Sequence, residues 1–323
     1  MEFLPLLSFV LTALGIHALL RTGSAWRLAL DRPNERSLHV RPTPRIGGLV
    51  LVPAFLASWA LLPMAATGTG LLIALLCLLS YLDDRAHLPV AVRLVAHCAV
   101  AAIFLGFVAP RPGLPWLLAG VVAIVVLTNL YNFMDGADGL AGGMALLGFS
   151  AYAWAAAPGD MGLAVGSACI AAAAAGFLLF NFPPARVFMG DAGSISLGFA
   201  AAAIDVLGVQ ALLWPAWFPL LVFSPFWVDA GVTLLRRTLR GERFWRAHRE
   251  HYYQRLIRMG WSHRRTCLAS YALILVVAAS ALLGLSLPAA YQRAMLLAWG
   301  LVYLFLLAAI DLRWRRTAAS ERR

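Results

Sequence analysis

The feature that most constrains this chain is the recurrence, between residues 3 and 311, of apolar runs long enough to cross a bilayer. A hydrocarbon layer needs about 20 apolar residues per helical span. The runs predict an all-α integral membrane protein, a polytopic bundle of about 11 transmembrane helices. They lie near 3–20, 46–65, 67–82, 91–109, 114–131, 140–157, 161–180, 193–210, 214–235, 266–286 and 293–311. Apolar residues make up 62% of the 323 and charged ones 13%, so no stretch is left for a soluble module. Residues 1–323 therefore read as one domain. Glu2, rather than a basic segment, precedes Phe3–Leu20, and no small-residue cleavage site is evident. That segment reads as the first span rather than a cleaved leader.

A net charge of +11 in a soluble protein would suggest nucleic acid, but its distribution here points to a membrane. All 26 basic residues are Arg, and all except Arg111 and Arg293 fall on alternate loops. This is the positive-inside pattern. It predicts an outside N-terminus, a cytoplasmic C-terminus, and cytoplasmic loops near 21–45, 83–90, 129–143, 181–194 and 236–265. Pro63, Pro110–Gly113, Pro158-Gly159 and Pro288 mark the short external turns. Cys77, Cys98, Cys169 and Cys267 lie singly in apolar runs and read as small hydrophobes. No internal repeat is evident, which weighs against transporters built from inverted repeats.

Nearly every unusual residue is in a cytoplasmic loop. Residues 129–143 hold two Asn, two Asp and four Gly between apolar segments. Their oxygens suit a hard cation shared with phosphates, although the stretch also reads as a polar hairpin. The first loop carries Arg32, Arg36, His39, Arg41 and Arg45 ahead of Gly47-Gly48. A helix start near guanidinium groups suits phosphate; contact with anionic lipid is the alternative. The adjacent acids Asp83 and Asp84 would split their titrations, or form a solvated helix end paired with Arg85. In the fourth loop Asp191 reads equally as a helix cap, and Phe188 as an interfacial residue or a stacking platform. In the last loop, a helix would put His248, His251 and Arg255 on one face. The alternative is a membrane-surface helix anchored by Phe244, Trp245, Tyr252 and Tyr253. Asp205 and Asp229 fall inside spans, Asp205 with a structural role and Asp229 undecided between an Arg and a neighbouring helix.

Taken together, these constellations lie on one side of the membrane. Five motifs in order carry a resemblance: Pro42–Gly48, Asp83-Asp84-Arg85, Asn129–Gly139, Phe188–Ser194 and His248–Arg255. The chain resembles the polyprenyl-phosphate N-acetylhexosamine-1-phosphate transferases, the superfamily that includes the phospho-MurNAc-pentapeptide transferase of peptidoglycan synthesis. The resemblance implies transfer of a sugar-1-phosphate from a UDP-N-acetylhexosamine to undecaprenyl phosphate in the bacterial inner membrane, with release of UMP. It implies Mg²⁺, with Mn²⁺ as a substitute, at Asn132 and Asp191. Asp83 and Asp84 match the pair that positions or deprotonates the lipid phosphate, and Asp135 and Asp138 the acidic loop around the nucleotide. Phe188 would stack on uracil. Arg45 and Arg249 would hold phosphates, and His248 and His251 would lie near the diphosphate and sugar. Membrane lipid is a further partner, nucleic acid is not, and the bundle admits a homodimer.

Departures narrow the expectation. The peptidoglycan branch has three consecutive His in the last loop, where this chain has His248-Arg249-Glu250-His251, and it has Lys residues where this chain has none. The resemblance is therefore closer to the enzymes that start O-antigen or other surface polysaccharides, with the peptidoglycan transferase as alternative. A transporter would need polar groups through the membrane's depth, whereas here they gather on one side.

Overall fold

The computed structural model describes residues 1–33, 38–62, 65–86, 88–108, 113–242 and 248–320. Arg36, His87, the turns at Pro63 and Pro110–Pro112, and the aromatic pair Phe244-Trp245 lie outside the described residues.

Helix α1 (Leu4–Arg21) leads to a short α2 (Ala25–Leu28) and two antiparallel two-residue strands, β1 (Leu30–Asp31) and β2 (Thr43–Pro44). Then follow α3 (Gly47–Trp59), α4 (Ala65–Ala86), α5 (Val90–Val108), α6 (Leu114–Phe133), α7 (Leu140–Ala156), α8 (Met161–Asn181) and α9 (Asp191–Gln210). The chain closes with α10 (Trp217–Val222), α11 (Ser224–Leu239), α12 (Tyr252–Arg258), α13 (His263–Gly284) and α14 (Ala289–Ser320). Helices α1, α5, α6, α8, α9, α13 and α14 are each long and apolar enough to cross a membrane. Helices α3 and α7 are apolar but shorter. The chain is a mostly helical, multi-pass membrane protein.

Two predicted spans differ. Segment 46–65 is helical only over Gly47–Trp59, with a turn after it. Segment 214–235 is broken between α10 and α11 at Phe223, which has φ −93° and ψ 8°. Pro225, in the first turn of α11, has no N–H to continue the preceding helix. Beyond the break α11 is amphipathic, burying Asp229, Thr233 and Arg237.

Helix α9 forms the centre of the bundle. Gly193, Ser194, Ser196, Gly198 and Ala200–Ala203 are all buried. Small side chains allow close helix approach where lipid supplies no hydrophobic drive. A Cβ on Gly198 would meet Thr128 O of α6 at 2.8 Å. Polar bonds pin the interior: Trp59 Nε1 donates to Gly166 O (2.9 Å), and Tyr152 OH donates to Asp205. Asp205 thus has a bonded partner inside the bundle. Helix α14 lies at the other extreme, since Tyr303 alone is buried among its described side chains.

Candidate active site

The site grows from two loops that interlock. Gly47 N donates to Phe188 O (2.9 Å), Gly48 N to Met189 O (2.8 Å), and Phe188 N to Pro44 O (2.8 Å). Only glycine permits the approach behind them, because a Cβ on Gly48 would stand 2.1 Å from Gly193 N. Gly190 has φ 72°, which turns the chain into α9 and leaves Asp191 in that helix's first turn. A carboxylate is favoured there by the helix dipole. The expectation that the start of α3 is open to phosphate is corrected: its first N–H groups are taken by the carbonyls of the fourth loop.

Around this interlock lies a cavity of about 280 Å³. Its walls include Asp31, His39, Arg45, Asn132, Asp135, Asp138, Phe188, Asp191, Gln254 and His263. Arg45 binds Asp191 (Nη2–Oδ1 3.2 Å) and faces Asp84 (Nη1–Oδ1 3.6 Å). Asp31 and Asp135 also act on this guanidinium, so four carboxylates share one cation. Asp84 lies just beyond the apolar stretch of α4, and burial pushes its carboxyl up to about 6 despite Arg45. Burial also raises Asp135 well above the carboxylate range, opposed by Arg45 and by an N–H bond from Gly190.

Other predicted residues are placed differently. Asp83 turns away from Arg45 and binds Arg93 Nη1 (2.9 Å) and Leu88 N (2.8 Å) at the start of α5. Asp138 lines the cavity but braces its walls, accepting from Ala185 N (3.0 Å) and facing His263 Nδ1 (3.3 Å). Burial raises the Asp138 carboxyl, but these partners bring it below the usual value. Asn132 Oδ1 accepts from Ser194 Oγ (2.7 Å), which fixes the amide toward the cavity. Phe188 meets His39 edge to face at 4.7 Å.

His248, His251 and Arg249 are not among the residues that line the cavity. The single helical face expected for His248, His251 and Arg255 is corrected. Helix α12 begins at Tyr252, and His251 is its extended N-cap, at φ −56° and ψ 148°. His251 is buried against Asp229 (Nδ1–Oδ1 3.4 Å) and stacks on Phe133 and Tyr253. His248 Nδ1 accepts from Glu250 N (3.3 Å). Burial, His251 and Arg237 push its imidazole down to about 4, so it is neutral near pH 7. Gln254, part of the last motif but given no role by the resemblance, and His263, outside the motifs, take the lining positions instead. His263 follows a Ser262 cap whose hydroxyl accepts from Arg265 N, a legible helix start that gave no hint of the partner Asp138.

The donor set fits a hard divalent cation. Asp191, Asn132 and Asp135 line the cavity with oxygens, and Asp84 faces Arg45 beside them. Among the described residues no three His, Cys, Asp or Glu groups could hold a metal ion together.

The sequence model of glycosyl transferase family 4 matches residues 66–209. The chain is 30% identical to a probable undecaprenyl-phosphate N-acetylglucosaminyl 1-phosphate transferase of Bacillus subtilis, covering 79% of this chain and 76% of the relative. It is 31% identical to a decaprenyl-phosphate N-acetylglucosaminephosphotransferase of Mycobacterium tuberculosis, covering 77% and 74%. It is 32% identical to a phospho-N-acetylmuramoyl-pentapeptide-transferase of Geobacillus kaustophilus, covering 73% and 82%. The chain belongs to glycosyl transferase family 4.

Proposed function

We propose that the protein transfers an N-acetylhexosamine-1-phosphate from a UDP-sugar to a polyprenyl phosphate, undecaprenyl phosphate in bacteria, and releases UMP. The observation that carries the reading is Arg45 held between Asp84 and Asp191 at the edge of a cavity that Phe188, Asn132 and Asp135 also line. An oxygen of the lipid phosphate attacks the β-phosphorus, the bond to the UMP oxygen breaks, and one pyrophosphate linkage replaces another. Such a reaction is accelerated by positioning and charge neutralisation.

Arg45 supplies fixed positive charge to phosphate oxygens. Asp84, at about 6, is matched to the last proton of a phosphate monoester, whose second pKa is also about 6. Phe188 offers a ring for the uracil to stack on. Asp191 and Asn132 would hold Mg²⁺ or Mn²⁺, which neutralises diphosphate charge and stabilises leaving UMP. Asp83 orients the end of α4 through Arg93, and His251 orients the loop before α12.

The relatives' names favour UDP-N-acetylglucosamine as donor, and the His-Arg-Glu-His sequence favours surface-polysaccharide initiation over peptidoglycan synthesis. The reading includes a single domain of about 11 spans in the inner membrane, N-terminus outside and C-terminus cytoplasmic. A C-terminal reporter active only outside the membrane would refute that orientation. The test of function uses purified protein, undecaprenyl phosphate and Mg²⁺ with UDP-N-acetylglucosamine, UDP-N-acetylgalactosamine, their deoxy analogues and UDP-MurNAc-pentapeptide. UMP release with one N-acetylhexosamine donor, lost with EDTA and in Asp191→Asn, is expected. Release with the pentapeptide donor alone would transfer the protein to the peptidoglycan branch.

A further inference from the structure

Helix α12 has seven residues, too few to be stable alone. Its first turn nevertheless delivers Gln254 to the cavity wall. Asp229 of α11 holds its beginning, accepting from Tyr252 N (2.8 Å) and Tyr253 N (2.9 Å). Asp311, from the far end of the chain, grips it as well. Asp311 Oδ1 accepts from Arg255 Nη1 (2.8 Å), and its Oδ2 accepts from Tyr252 OH (3.3 Å) and Arg236 Nη1. The Arg255 guanidinium lies over the Tyr252 ring at 4.9 Å, and Arg258 lies over Trp314 at 4.7 Å. Asp311 and Trp314 are on α14, beyond the stretch matched by the family model.

Gln254 is fixed at both ends of this device. Its Oε1 accepts from His251 N (3.2 Å), which leaves the NH₂ group toward Gly136. A Cβ on Gly136 would stand 3.6 Å from that nitrogen. The same amide bonds the Tyr253 hydroxyl, which leaves one N–H of the NH₂ group for the cavity. On the reading above, α12 lies on the aqueous side of the spans, the side from which a water-soluble sugar nucleotide arrives. The lipid phosphate arrives from the bilayer.

We propose that Asp311 is a positioning residue for the donor substrate: by gripping Arg255 and Tyr252 it holds α12 so that Gln254 meets the sugar nucleotide. The proposal rests on the transferase reading. Removing the carboxylate charge takes from the buried Arg255 guanidinium its closer ion pair and leaves it the Glu250 carbonyl (2.8 Å) and the more distant Glu250 carboxylate (3.8 Å), so α12 loosens while Arg45, Asp84 and Asp191 keep their places.

The experiment compares full-length wild type, Asp311→Asn, Asp311→Glu and Gln254→Ala in detergent. Each is assayed for UMP release with donor varied at fixed polyprenyl phosphate, and the reverse. In Asp311→Asn the KM for donor should rise roughly tenfold, with kcat and the KM for lipid within about twofold. Asp311→Glu should recover part of the loss, and Gln254→Ala should reproduce the donor effect. Limited trypsin digestion reads the positioning without turnover. Asp311→Asn should be cut faster after Arg255 and Arg258, whereas Gln254→Ala should not. Unchanged donor KM, equal rises in both KM values, or unchanged protection from trypsin would overturn the proposal. Absence of UMP release from wild type would instead count against the transferase reading, and the digestion would still decide whether Asp311 holds α12.

Discussion

The two walls of the cavity are built by different physics. On one, residues 44–48 and 188–194 touch backbone to backbone, with Gly48 against Gly193 and main-chain bonds across the seam. On the other, α12 is suspended from α11 and α14 by the carboxylates of Asp229 and Asp311. Packed backbone has no slack, and a change of one methyl must displace it. Side-chain ion pairs can be exchanged and re-formed when a loop is rebuilt. The difference teaches where variation is cheap. In the wall that holds Arg45 and Asp191, any added side chain at Gly48 or Gly193 must displace neighbouring atoms. The wall that holds Gln254 can vary if its anchors follow.

The comparison breaks most sharply at Asp191. Asp191→Asn keeps the shape of the packed wall and removes one charged oxygen, so UMP release should fall about a thousandfold at an unchanged thermal midpoint. Activity near wild type would remove Asp191 from the chemistry. Next in size is a pair of glycines. Gly48→Ala should destabilise the protein by about 3 kcal/mol, because the new methyl meets main chain rather than a flexible side chain. Gly231→Ala in α11, where a Cβ meets nothing within 4 Å, should be neutral or stabilising by up to about 1 kcal/mol. Thermal midpoints in detergent check both, and equal midpoints would erase the contrast between the walls.

The smallest effect concerns His248, beside the suspended wall. Its folded value of about 4 lies below the usual 6.5. Between those limits the unfolded chain binds a proton that the folded chain does not, so stability is lost as pH falls from 6.5 toward 4. His248→Gln should flatten that part of a midpoint-against-pH curve by a small amount, since the ring is only half buried. Parallel curves for the two proteins would assign the acid loss to other groups.

The packed wall was largely legible in the sequence. Apolar length marked the helices, and Gly47-Gly48, Asp84, Asn132, Asp135 and Asp191 stood out as polar or small residues at the ends of apolar runs. The suspended wall was much less so. Residues 214–235 read as one span because hydropathy averages over Pro225 and hides a break. His248 and His251 gave a plausible helical face, but the helix begins only after His251, its N-cap, where Asp229 of another element takes the first N–H groups. Gln254 and His263 carry no local mark of a site. Their importance comes from Asp311 and Asp138, which are distant in sequence. Periodicity reports what a segment buries, not which distant carboxylate will hold its first turn.

The three main-chain bonds between Pro44–Gly48 and Phe188–Met189 have one more consequence. They splice two segments far apart in sequence into a single short piece of backbone, with Arg45 near one end and Asp191 near the other. The spacing between the backbones that carry that cation and that anion is therefore held by the main chain itself. Any breathing that admits a substrate or frees a product takes place across the cavity, against a fixed electrical reference.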